Sequence, residues 1–91
     1  MAIRLGICGV GSFANCFVPL FKHHPDVENV VLCDLDSDKL TEKCQTFGIS
    51  DRCDSLDALC AVDVDAIAII TQNHLHGPQA VQALNAGKHV Y

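Results

Sequence analysis

Residues 3–14 read Ile3-Arg4-Leu5-Gly6-Ile7-Cys8-Gly9-Val10-Gly11-Ser12-Phe13-Ala14. Ile3 to Cys8 is a near-continuous apolar run of the kind a parallel strand needs when it is covered on both faces. The G-x-G-x-x-A that follows opens a helical pattern over Ser12–His23, with Phe13, Ala14, Phe17, Val18 and Phe21 on one face. A short glycine pattern carries little weight alone; between a strand and a helix it reads as a dinucleotide-binding turn. Gly9 permits the tight turn, Gly11 leaves no side chain in the path of a pyrophosphate, and Ala14 lets the helix lie against the sheet. The amides of Ser12 and Phe13, free at the helix start, would face the phosphates. The competing reading is a tight turn that holds no ligand.

Downstream of this turn, strands and helices alternate. Val30–Cys33 predicts a second strand, closing on Asp34. Asp36-Ser37-Asp38 starts a helix, with short oxygen-bearing side chains for its free amides, that stops at Gly48. A short strand is expected near Ile49–Cys53. Asp54-Ser55 caps a brief helix over Leu56–Cys60, and Ala66–Ile70 is the most hydrophobic strand. A loop over Thr71–His76 leads to a helix with Pro78 in its first turn, where proline costs least. That helix ends at Gly87, and Val90-Tyr91 opens a fifth strand. Pro19, inside the first helix, removes a backbone donor and predicts a kink. Strict alternation predicts parallel strands with right-handed crossovers, a doubly wound α/β sheet in the order 3-2-1-4-5, as one domain over residues 1–91. A strand opening at the last residues reads as one that continues, so a longer protein is expected.

Composition narrows the function classes. The chain is 49% hydrophobic and 19% charged, which fits a packed core; at 91 residues its stability should be modest. Eleven acidic against six basic residues give a net charge of −5, without the basic surface nucleic acid demands. No stretch reaches the ~20 apolar residues of a membrane span. The chain opens directly into a strand, so no signal peptide is expected. Six cysteines lie in strand or helix patterns without a C-x-x-C spacing, pointing to reduced thiols in a cytoplasmic protein.

Two further places bear on chemistry. Asp34 stands 20 residues past Ala14 at the end of the second strand, where a carboxylate accepts hydrogen bonds from an adenosine ribose. The same charge would repel a 2′-phosphate, Leu35 brings no compensating cation, and Lys39 lies in the next helix, so NAD is favoured over NADP. A solvated aspartate beginning a turn is the plainer alternative. Thr71-Gln72-Asn73-His74-Leu75-His76 lies at the end of the fourth strand, beside the switch point where such sheets bind ligands. Two histidines there find no cysteine or carboxylate to complete a metal set; Asn73 and His76 read equally well as caps of the following helix. No nucleophile–base pair or placed carboxylate pair is found, so no catalytic residue is assigned.

These residues resemble the N-terminal domain of the glucose–fructose oxidoreductase / inositol dehydrogenase (Gfo/Idh/MocA) family. Arg4 to Ala14 looks like its opening strand and glycine turn, Pro19-Leu20 recurs in its first helix, and Asp65 to Thr71 looks like its fourth strand. Ala83-Leu84, followed by Ala86-Gly87-Lys88-His89-Val90-Tyr91, is the most specific match, a run that in the family precedes Glu-Lys-Pro. The resemblance implies that Gly9, Gly11 and the amides after them hold the pyrophosphate, Asp34 the ribose, and Thr71, Asn73 and His76 the nicotinamide side. It also implies a lysine beyond Tyr91 that orients substrate, and a second domain that shapes the substrate pocket and drives oligomerisation. Gln72 departs from the family's usual proline and bears on the geometry of that loop.

Two functions follow. One is the cofactor-binding part of an oxidoreductase that passes hydride between nicotinamide and a sugar, cyclitol or similar polyol, the chain alone binding without turnover. The other is a non-enzymatic nucleotide-binding or partner-pairing module, suggested by a bare sheet edge at Val90-Tyr91. The expected partners are a dinucleotide and, through that edge or a second domain, further copies of the chain; nucleic acid and membrane are not expected.

Overall fold

The computed structural model describes residues 3–11, 14–71 and 73–91, the side chains of Ala14, Asn73 and His74 excepted. Five parallel strands, β1 (Ile3–Cys8), β2 (Val27–Cys33), β3 (Arg52–Cys53), β4 (Ala66–Ile69) and β5 (His89–Val90), lie in the order β3-β2-β1-β4-β5. Helices α1 (Ala14–Lys22), α2 (Ser37–Phe47), α3 (Leu56–Ala61) and α4 (Asn73–Asn85) alternate with them. The predicted doubly wound order is the one observed.

Alternation of side chains along the strands divides the core in two. Leu5, Ile7, Val30, Leu32 and Ala68 face one way, against Val18 of α1 and Leu40 and Cys44 of α2. Cys8, Val31, Cys33, Cys53 and Ile67 face the other, against Leu56 and Leu59 of α3 and Ala83 of α4. Register keeps each layer aligned, Leu5 pairing with Val30 and Ala66, and Ile7 with Leu32 and Ala68. Phe21 of α1 reaches Tyr91 edge-on, ring centroids 5.8 Å apart, tying α1 to the β5 side.

The helix signals act as read. Asp36 caps α2 by accepting from Lys39 N at 3.1 Å, and the amide of Gly48, left-handed at φ 67°, closes its other end on Cys44 O. Ser55 caps α3 through Ala58 N at 3.1 Å. At the N-terminal end of the sheet Arg4 joins β1 to the start of β4. Its amide donates to Asp65 Oδ2 at 2.9 Å, and its guanidinium meets Asp63 and Asp65.

Several boundaries differ. β2 begins at Val27 rather than Val30: exposed Glu28 and Asn29 lack an apolar signature, yet Val27 and Asn29 pair with Ile3 and Arg4 of β1, with Glu28 at the register shift between them. β3 is confined to Arg52–Cys53; Ile49 is buried in the core before the strand begins. The main correction concerns α4. It starts at Asn73, so residues 73–76 belong to the helix and Pro78 lies inside it, not in its first turn. Proline ordinarily keeps the preceding residue out of helical geometry by a clash with its Cβ. Gly77 has no Cβ, and the helix passes through.

Candidate functional site

The described candidate residues gather at the C-terminal ends of β1, β2 and β4, where strand order reverses. Gly9 follows β1 at φ +97°, a conformation that side chains disfavour. A Cβ placed on it would stand 2.6 Å from Ile70 O and 2.9 Å from Thr71 Cγ2, so the β4–α4 turn lies directly against the glycine turn. Gly9 N also donates to Cys33 O at 2.8 Å and Ile70 N to Cys8 O at 2.8 Å, holding all three strand ends together. Gly11 differs: among the described residues, a Cβ there would meet nothing within 4 Å. The space over Gly11 is open for a group approaching the backbone. Ser12 and Phe13 lie outside the described residues. Ala14 is the first described residue of α1.

Asp34 sits at the end of β2 and is braced from both sides. Its Oδ2 accepts from Val10 N at 3.0 Å and its Oδ1 from Asp36 N at 2.9 Å. A carboxylate offers about four acceptor positions, so these two amides fix its orientation and take about half of them. Its bond to Val10 links the ribose candidate to the glycine turn, which the sequence did not reveal. Leu35 beside it is 86% exposed.

On the other side of β1, Thr71 follows β4. His76 Nε2 lies 2.6 Å from Thr71 O; facing a carbonyl, that nitrogen carries the proton and donates. The Thr71 hydroxyl donates to Gln79 Oε1. Asn73 stands at the start of α4, and its side chain is outside the described residues. Gln79 is the residue that sequence reasoning passed over. It lies three positions after His76 on the same helix face, the signal that would have grouped the two.

Two hollows of about 220 and 260 Å³ open beside the first five residues of β2. None of the candidate residues lines them. Among the described residues, no group of three or more His, Cys, Asp or Glu could hold a metal ion, and no helix is long and apolar enough to cross a membrane. Cys8 and Cys33 are register partners behind the glycine turn. Hydrogen bonding between them lowers the first thiol's pKa and, with burial, raises the second's.

A doubly wound sheet with an open glycine turn at its switch point, flanked by a braced carboxylate, defines a dinucleotide-binding domain of the Rossmann type. Residues 3–91 match the Gfo/Idh/MocA family, described as an oxidoreductase family with an NAD-binding Rossmann fold, and the chain belongs to that family. A relative from Streptomyces violaceoruber, dTDP-3,4-didehydro-2,6-dideoxy-alpha-D-glucose 3-reductase, is 35% identical over 98% of this chain and 26% of its own length. The WlbA dehydrogenase from Bordetella pertussis, solved with NADH and UDP-GlcNAcA, superposes with TM-score 0.87 and 29% identity, over 99% of this chain and 28% of that one. A 3-ketoreductase from Actinomadura kijaniata, solved with NADP and TDP-benzene, gives TM-score 0.89 and 28% identity over the same shares. The chain therefore spans roughly a quarter of the length of these proteins.

Proposed function

We propose that this NAD-binding domain serves an oxidoreductase that exchanges hydride with a sugar, cyclitol or similar polyol, and that its cofactor is NAD rather than NADP. The bound cofactor supplies the hydride acceptor or donor. The chain's own residues bind and orient it. Gly11 and the start of α1 take the pyrophosphate, by way of the amides of Ser12 and Phe13; Asp34 accepts from the adenosine ribose; Thr71, Asn73 and His76 border the other nucleoside. The substrate class rests on the family's glucose–fructose and inositol enzymes, and on the sugar-nucleotide substrate in the Streptomyces reductase's name.

The observation that carries the reading is Asp34, fixed by Val10 N and Asp36 N with acceptor positions to spare. A 2′-phosphate brought against this carboxylate would meet repulsion of about 4 kcal/mol per charge pair at 4 Å and an effective dielectric of 20. The NADP bound to the Actinomadura relative sharpens the test. NADH should bind the chain at least tenfold more tightly than NADPH. The double substitution Asp34→Ser, Leu35→Arg should reverse that order by supplying the missing cation. Equal affinities in the unaltered chain would overturn the NAD assignment. The same reading carries cytoplasmic location and self-association at the β5 edge, the latter checked by sedimentation.

A further inference from the structure

We infer that Gln79 is a positioning residue for the cofactor, acting through Thr71, and that it sets affinity for the nicotinamide nucleoside but not for the adenosine half. The inference rests on the NAD-binding reading and deepens it.

Thr71 is gripped by α4 at its carbonyl and at its hydroxyl. His76 Nε2 holds its carbonyl at 2.6 Å, and Gln79 Oε1 takes its hydroxyl proton. The two holders stand one helical turn apart on one face of α4, so both bonds depend on a single rigid element. Thr71 in turn presses on the glycine turn, where its Cγ2 would stand 2.9 Å from a Cβ on Gly9. The strand order puts Asp34 at the end of β2 and Thr71 at the end of β4, with β1 between them. A dinucleotide with its pyrophosphate over the turn and its ribose on Asp34 therefore lays its second nucleoside beside Thr71.

The hydroxyl bond fixes the rotamer of Thr71. Without it the side chain turns freely, and its methyl or hydroxyl can enter the space the second nucleoside needs. Preorganisation of this kind raises affinity by removing an ordering cost that binding would otherwise carry. The effect stays local, because Asp34 is braced by the amides of Val10 and Asp36, neither of which belongs to α4.

The test measures binding of two probes, NADH and ADP-ribose, to the full chain and to Gln79→Met, Thr71→Val and the double variant, with far-UV circular dichroism on each. Gln79→Met keeps the shape and helix preference of the side chain but removes the acceptor. It should weaken NADH about five- to tenfold, the scale of one lost hydrogen bond, and leave ADP-ribose within about twofold. The double variant should be no weaker than Thr71→Val alone, since the two residues act as a unit. Gln79→Glu keeps an acceptor and should retain the unaltered ratio of the two affinities, which guards against misfolding of the methionine variant. Equal losses for both probes, no loss for either, or losses that multiply in the double variant would overturn the inference and leave NAD binding standing. An unaltered chain that binds neither probe would remove the NAD-binding reading, and this inference with it.

Discussion

Gly9→Ala and Gly11→Ala are the same chemical change two residues apart, and the structure assigns them opposite consequences. At Gly9 the backbone sits at φ +97°, where a side chain costs about 1–3 kcal/mol. The new methyl would also lie 2.6 Å from Ile70 O and 2.8 Å from Ile70 C. These are backbone atoms of a turn hydrogen-bonded to β1, so relief means moving β4 away from it, at about 1–3 kcal/mol more. The sum, roughly 2–6 kcal/mol, is a large part of what a domain of this size has. At Gly11 the methyl enters open space, and stability should stay within about 0.5 kcal/mol. Yet that open space is where the pyrophosphate is to lie, so Gly11→Ala should lose NADH. Urea unfolding followed by circular dichroism, paired with NADH titration, reads both. A Gly9→Ala midpoint equal to the unaltered chain's would refute the argument from close approach. A Gly11→Ala variant that binds NADH normally would refute the placement of the pyrophosphate.

Three other outcomes are expected. Asp65 has its pKa held below the ordinary value, first by the amide of Arg4 and then by its guanidinium. Its contribution is present above the unfolded carboxylate range and is lost as pH falls through the folded value, so urea midpoints should drop in acid. Asp65→Asn should be less stable at neutral pH and show a shallower acid fall; parallel curves would count against it. Cys16 is exposed, whereas Cys33 is buried and its pKa raised by hydrogen bonding to Cys8, so iodoacetamide should label Cys16 first. Mass spectrometry finding Cys33 labelled as fast in the folded chain would contradict this. Leu59 is fully buried against β1, and Leu59→Ala should cost about 2–5 kcal/mol, while exposed Leu20→Ala should cost under about 0.5 kcal/mol, both read by urea unfolding.

Strand order was legible because each apolar run is bounded by capping or turn residues, and Asp36, Gly48 and Ser55 act where their chemistry suggested. What stayed hidden was set by neighbours distant in sequence. Val27–Asn29 form strand because β1 offers partners, and nothing in Glu28 or Asn29 announces it. The start of α4 was masked by Pro78, since the permissive residue is Gly77 before it. The candidate site was readable as residue types, Gly9, Gly11 and Asp34 at the right intervals. Its bracing was not: Val10 and Asp34 are 24 positions apart, and the grip of Gln79 on Thr71 exists only once α4 is folded.

The central claim is that a dinucleotide lies across the C-terminal ends of β2, β1 and β4. An amide-resolved NMR titration of the chain with NADH tests it most directly. The account predicts the largest shifts at Gly9, Gly11, Asp34 and Thr71, with Lys22 and Gly48 at the far end of the sheet unmoved. No shifts at millimolar NADH, or shifts gathered around Lys22 and Gly48, would contradict it.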